Sequence, residues 1–117
     1  MPEESSDQLR AKALQRIATL RQAIEAFEFV CSGTLLERRK VCGKPGCRCA
    51  NDPEQRHGPY YEWTRRANGK LLHRVVSAEQ ARMIRQAIAN HRAILRLLRR
   101  WERETIRLIE ARRGPNR

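Results

Sequence analysis

Aromatic residues are scarce in this sequence, at 5% of its 117 residues, and Gly and Pro together contribute only 11. Strand-rich proteins need more of these residue types for their turns and cores, so the composition favours a helix-rich chain. No apolar run is long enough to span a bilayer and no lipidation motif is present, so we expect no membrane partner. The acidic start MPEESSDQLR does not resemble a signal peptide, and we expect a cytoplasmic protein.

Recognisable catalytic patterns are missing as well. The sequence contains no HExxH, no GxSxG and no P-loop motif, and no nucleophile stands beside an obvious general base. We therefore expect a protein that is not an enzyme and has no small-molecule substrate.

Acidic residues are few compared with basic ones, at 13 against 25, which gives a formal charge of +12. A charge of this size attracts polyanions, and nucleic acid is the partner we expect. Only four of the basic residues are Lys and the rest are Arg. A GC-rich genome produces the same bias without any functional demand, so charge alone leaves both explanations open.

Two long helices are predicted at the ends of the chain. Ser5 and Gln8 fit a capping box, and the helix that follows is predicted over residues 6–30, with Gly33 ending it. Its apolar positions recur in steps of four and three, at Ala13, Ile17, Leu20, Ile24 and Phe27.

Ser77 and Gln80 form a second capping pattern, and the last helix is predicted over residues 78–112. Its heptad seam contains Ile84, Ala87, His91, Ile94, Leu98, Trp101, Thr105 and Leu108, with a flanking row of Ile88, Leu95 and Ile109. Because the first helix is the shorter one, part of this seam should contact a second copy of the chain. We therefore expect a homodimer.

Three strands are predicted between the helices. Residues 34–41 indicate a short strand, and Asn68-Gly69 indicates a hairpin with a type I′ turn. That turn pairs Tyr61 with Val76, Trp63 with Arg74 and Arg65 with Leu72. One face of the hairpin then carries four side chains that should pack on a helix: Tyr61, Trp63, Leu72 and Val76.

These elements predict an α+β fold that is mostly α, in one domain over residues 1–117. Long N- and C-terminal helices pack antiparallel, and residues 34–76 form a small three-stranded antiparallel sheet with a zinc-knuckle loop.

Cysteines cluster in the predicted loop, where Cys42, Cys47 and Cys49 form a C-x4-C-x-C pattern and His57 follows. Three thiolates and one imidazole make a tetrahedral set for one structural Zn²⁺, closed to water. Cys31 is the alternative fourth ligand, although it also fits an ordinary buried cysteine. A disulfide framework and cysteines without metal stay open as alternatives to zinc.

The stretches CGKPGCRC (42–49) and HGPY (57–60) resemble the domain of unknown function 6788 family, a group of short prokaryotic proteins. The likeness covers about residues 33–90 and includes Gly33 to Arg38 and the turn from Asn68 to Lys70. It implies that Cys42, Cys47, Cys49 and His57 belong to one unit. It also implies an association with mobile elements, which favours DNA as the partner.

Basic residues fall into three groups around the predicted sheet. The candidate phosphate contacts are Arg38, Arg39 and Lys40, then Lys44, Arg48 and Arg56, then Arg65, Arg66, Lys70 and Arg74. Tyr60, Tyr61 and Trp63 lie among them and could stack on bases, or could instead belong to the core.

Many further arginines lie on the last helix, where solvated side chains are the simpler interpretation. The sequence thus predicts a non-catalytic, zinc-stabilised DNA-binding protein, and a helical protein–protein adaptor is the alternative. One contiguous face of arginines would favour nucleic acid, and an even distribution would favour the adaptor.

Overall fold

The computed structural model, which describes residues 5–41, 43–55 and 57–112, contains two helices and a three-stranded sheet that lies between them in the sequence. The helices are α1 (Ser6–Glu25) and α2 (Ala78–Ala111). The strands are β1 (Thr34–Lys40), β2 (His57–Ala67) and β3 (Lys70–Val76), with antiparallel neighbours in the order β1-β2-β3. The predicted α+β fold is therefore confirmed. Among the described residues, neither helix combines the length and the apolar character that crossing a bilayer requires.

The chain divides into two compact units. The sheet unit is Phe29–Ala89 and contains the sheet together with the first part of α2. The helical unit contains α1 and the remainder of α2 from Asn90 onward. The single domain expected over residues 1–117 stays a prediction.

Serine caps start both helices, as predicted. Ser5 Oγ accepts from the Gln8 backbone N–H at 3.1 Å, and the Gln8 side chain accepts from the Ser5 N–H at 2.8 Å. Ser77 and Gln80 repeat the arrangement at 3.0 and 2.8 Å. Each capping box satisfies two backbone donors at its helix start, which fixes where the helix begins.

The end of α1 differs from the sequence prediction, because the helix stops at Glu25 rather than near residue 30. The following backbone instead bonds to the sheet unit: Cys31 N–H donates to Ala87 O at 3.3 Å, and Trp63 Nε1–H donates to Ser32 O at 3.1 Å. Gly33, predicted to end the helix, lies against β2 with a φ of +112°. A Cβ there would lie 2.9 Å from Trp63 Nε1 and would collide with Thr64 O. Glycine is needed for this close approach rather than for helix termination.

The hairpin has the predicted register, in which Tyr61 pairs with Val76, Trp63 with Arg74 and Arg65 with Leu72. Asn68 and Gly69 both have positive φ, at 53° and 76°, as a type I′ turn requires. The predicted inner face is half-buried at Tyr61, Trp63, Leu72 and Val76. In the same unit, α2 contributes the buried apolar side chains Ala81, Ile84, Ala87 and Ile88.

In the helical unit α1 and α2 run antiparallel. Arg16 pairs with Glu104 at 2.8 Å, and the Arg21 guanidinium lies 6.0 Å from the centre of the Trp101 ring. The later residue of α1, Arg21, contacts the earlier residue of α2, Trp101, as antiparallel packing requires. Ala13 and Leu20 are the buried apolar residues of α1, so this interface combines a narrow apolar strip with charged contacts.

Candidate functional site

The loop between β1 and β2 brings two of the predicted zinc ligands together. Cys47 Sγ lies 3.3 Å from His57 Nε2. His57 begins β2 and pairs with Lys40 at the end of β1, so the sheet fixes its position. Two short 3-10 turns, Arg48–Ala50 and Pro53–Gln55, follow Cys47 within the loop. Local hydrogen bonds support this path, among them Asp52 N–H to Arg48 O at 3.1 Å.

The structure describes less of the other two predicted ligands, Cys42 and Cys49. Cys42 lies outside the described residues, and the side chain of Cys49 is not described either. Among the residues that are described, no three His, Cys, Asp or Glu side chains form a metal-binding group. That statement does not extend to Cys42 or Cys49, so the four-ligand site stays a prediction.

Cys31, the alternative fourth ligand, contacts α2. Its Sγ lies 3.9 Å from Ile84 O, in the position of a donor to that carbonyl. Burial raises the pKa of the Cys31 thiol, and the nearby Arg65 charge only partly opposes this effect. A thiol with a raised pKa is a poorer source of the thiolate that zinc binds.

The predicted basic residues of the sheet lie on both of its faces. Cross-strand pairing places Arg38 and Arg66 on the same face as Glu62, and Lys40 reaches Glu62 from a bulge. Arg65, Lys70 and Arg74 share the opposite face with Trp63. The Arg65 guanidinium lies 5.0 Å from the centre of the Trp63 ring, so it packs on the half-buried aromatic face. The sheet therefore does not gather these residues into one basic surface.

Glu62 is the centre of a charge cluster that sequence reasoning missed. It is only 2% exposed, and its carboxylate lies 2.8 Å from Lys40 Nζ, 3.2 Å from Arg38 Nη1 and 3.6 Å from His73 Nε2. The hydrogen bond from Lys40 lowers the pKa of Glu62, and the charges of Lys40, Arg38 and His73 add to this effect against the cost of burial. Two candidate phosphate contacts, Arg38 and Lys40, are thus partly neutralised by an internal carboxylate.

Exposed side chains remain at Arg39, Lys44, Arg48, Arg66, Lys70 and Arg74, whereas Arg56 lies outside the described residues. Tyr60 is also exposed, and its ring centre lies 5.7 Å from Lys40 Nζ.

A larger basic surface lies on α2 and was left out of the predicted site. We call it the arginine face, and it consists of Arg82, Arg85, Arg92, Arg96, Arg99, Arg100, Arg103 and Arg107, all exposed. At 3.6 residues per turn these positions fall within a sector of about 100° that extends about 38 Å along the helix. Between Arg82 and Arg107 the only other residue in that sector is Ala89. The spacing of the arginines along the sequence indicates this face, whereas the net charge alone does not.

Comparison with known proteins identifies a family without an assigned activity. Residues 6–86 match the family described as domain of unknown function (DUF6788). The match includes the first part of the arginine face but not its last six arginines. No curated protein and no solved structure matches the chain.

Replacement of Glu62 by Gln should destabilise the protein in a pH-dependent way. Since the pKa of Glu62 is lowered on folding, its ion pairs stabilise the fold above the ordinary glutamate pKa of about 4.3, and this stabilisation is lost as the pH falls through the folded value. Urea midpoints measured between about pH 6 and pH 3 should therefore converge in acid for the wild type and the variant. Glu37→Gln, an exposed site on β1, is the matched control. A Glu62→Gln deficit that is constant with pH would contradict this assignment.

Proposed function

Because the chain belongs to the domain of unknown function 6788 family, whose description assigns no activity, we propose its function from its own residues: it is a non-catalytic DNA-binding protein. The observation that carries the proposal is the one-sided arrangement of eight exposed arginines on α2. This is the contiguous distribution that favours nucleic acid over an adaptor. The acidic residues of this stretch, Glu102 and Glu104, lie outside its sector, and Glu104 pairs with Arg107 at the edge.

The shape of the arginine face suits the backbone of a duplex. Arginine presents planar N–H donors that match phosphate oxygens, and a row of them releases counterions when it meets a row of phosphates. The B-form major groove, about 12 Å wide, admits a helix, whereas the major groove of A-form RNA is deep and narrow. A helix that bears a row of arginines therefore favours DNA over RNA.

The sheet contributes less to this proposal than the sequence suggested. Its basic residues are divided between two faces, Glu62 neutralises part of one group, and Arg65 packs on Trp63. Arg39, Arg66 and Arg74 are exposed and could make auxiliary contacts, but they do not form a continuous row.

A structural zinc site in the loop is the second part of the proposal. The 3.3 Å approach of Cys47 Sγ to His57 Nε2 supports it, since two ligands of one tetrahedral zinc ion are close neighbours. Cys42 and Cys49 would complete the set, and the ion would fix the path of the loop between β1 and β2. Lys44 and Arg48 beside it would offset the negative charge of the thiolates.

DNA binding should depend on the arginine face more than on the sheet. We expect duplex affinity, measured by fluorescence anisotropy, to fall linearly with salt on a log–log plot. The variant Arg92→Gln/Arg96→Gln/Arg99→Gln should reduce the magnitude of that slope by about 3, since each arginine that meets a phosphate contributes about 1.

The matched control is Arg39→Gln/Arg66→Gln/Arg74→Gln, which removes the same charge from the sheet. Equal losses in the two triple variants would mean that net charge, not the α2 arrangement, attracts DNA. No binding of the wild type at low salt would refute the proposal.

Metal analysis tests the zinc site. Protein purified without added zinc should contain about one zinc per chain, and Cys47→Ser and His57→Ala should each lose it. Because metal binding supplies folding energy at such sites, both changes should also increase amide exchange in the loop. Cys31→Ser is the control and should keep the metal. A metal-free wild type with a fully protected loop would show that zinc plays no part.

A second candidate function is self-association through α2. Four apolar side chains form an exposed stripe on the opposite side of the helix from Glu104: Leu95 (38% exposed), Leu98 (44%), Ile106 (42%) and Ile109 (64%). We call this the apolar stripe. A second copy of the chain is the occupant expected from the heptad pattern, as in other paired helices.

Sedimentation analysis distinguishes a dimer from a monomer. Leu98→Asp/Ile106→Asp should convert a dimer into a monomer, because each change places a charge where the partner helix would bury it. The exposed sheet residue Leu71, changed to Asp, serves as a control that adds charge elsewhere. A wild type that sediments as a monomer at all concentrations would exclude this role for the stripe.

A further inference from the structure

A cleft in the helical unit contains more positive charge than the packing of α1 and α2 requires. It has a volume of about 240 Å³ and is lined by Thr19, Leu20, Glu104 and four arginines: Arg16, Arg100, Arg103 and Arg107. We call it the arginine cleft. Four positive charges and one negative charge give it a net charge of +3. Arg16 comes from α1, whereas the other three arginines are also members of the arginine face.

Glu104 holds two of these arginines in place. Glu104 is only 8% exposed, and its carboxylate accepts from Arg16 Nε at 2.8 Å and from Arg107 Nη1 at 3.0 Å. A guanidinium has five N–H donors, so each of these two side chains keeps four after its bond to Glu104. Their positions are set while most of their donors stay available.

The other two arginines have no acidic counterpart within the part of the chain that the structure describes. Arg100 and Arg103 line the cleft, and no described carboxylate lies within ion-pair distance of either. Linking α1 to α2 requires one arginine and one carboxylate, and each added cation increases the repulsion within the cleft. An anion bound there would relieve that repulsion.

We infer that the arginine cleft binds one phosphate group. Phosphate oxygens accept paired N–H donors from guanidinium groups, and Arg is the residue best suited to such planar recognition. This inference rests on the proposed function, because the phosphate is assigned to the backbone of DNA bound along the arginine face. In that arrangement α1 contributes to DNA binding through Arg16, and the cleft fixes the position of the duplex along α2.

Titration with inorganic phosphate tests the cleft without DNA. In protein labelled with ¹⁵N, the arginine Nε–Hε resonances of Arg16 and Arg103 should shift and saturate as phosphate is added. Sodium chloride at equal ionic strength should not produce saturable shifts. Arg65, which packs on Trp63, provides an internal reference that should stay unchanged. Shifts that grow without saturation, or that chloride reproduces, would overturn the inference.

Duplex binding by single variants tests the assigned source of the phosphate. Arg16→Gln and Arg103→Gln should each reduce the magnitude of the salt slope by about 1. Arg10→Gln removes the same charge from α1 outside the cleft and should change the slope less. Arg103 has no ion pair with Glu104, so its variant keeps the link between the helices even if Arg16→Gln weakens it.

Failure of the cleft assignment and failure of the proposed DNA binding would give different results. If the wild type binds duplex with a steep salt slope but all three variants behave alike, the cleft assignment is wrong and DNA binding stands. If phosphate saturates the cleft resonances but no duplex binds, the site is real, the ligand is free phosphate, and the DNA assignment falls.

Discussion

The helical period of α2 is the constraint on which the rest of the structure depends. Because Ala78–Ala111 continues as one helix, residues three, four and seven positions apart share a face. That period separates the side chains beyond Asn90 into three sectors. One bears Glu104 and faces α1, one bears the arginines, and one bears the apolar stripe. A break in the helix would mix these sectors and remove each surface.

The clustering of the arginines on one face lowers the stability of the fold. This cost bears on whether the clustering arose by chance. Like charges three or four residues apart on a helix cost about 0.2–0.5 kcal/mol per pair, and the arginine face contains several such pairs, for example Arg96 with Arg100 and Arg103 with Arg107. The sum is about 2 kcal/mol at low salt, a sizeable fraction of the stability of a small protein. A GC-rich genome would account for an excess of arginine over lysine, but it would not account for their position on one face. A polyanion bound along that face would remove the repulsion.

Local sequence signals predicted the parts of the fold that local chemistry controls. The two capping boxes and the Asn68-Gly69 turn fixed the helix starts and the hairpin register, because each depends on residues within a few positions. The predicted end of α1 was wrong. After Glu25 the chain leaves the helix, and distant residues, Ala87 and Trp63, hydrogen-bond to the backbone of Cys31 and Ser32. The Glu62 cluster also depends on strand pairing across the sheet, and no spacing of residues along the sequence predicts it. Of the candidate site, the structure places Cys47 close to His57, whereas the alternation of the strands divides the sheet arginines between two faces.

The proposed DNA binding and the proposed self-association would use adjacent sectors of the same stretch of α2, so they need not compete. Leu95, Leu98 and Ile109 lie beside the arginine face rather than within it. If two copies pair antiparallel through the apolar stripe, their two-fold axis is perpendicular to both helices, and both arginine faces point to the same side. Parallel pairing would place them on opposite sides, because the axis would then run along the helices. Only the antiparallel arrangement doubles the basic surface available to one duplex. The direction in which the stripe pairs therefore decides whether a dimer would bind one DNA molecule or bridge two.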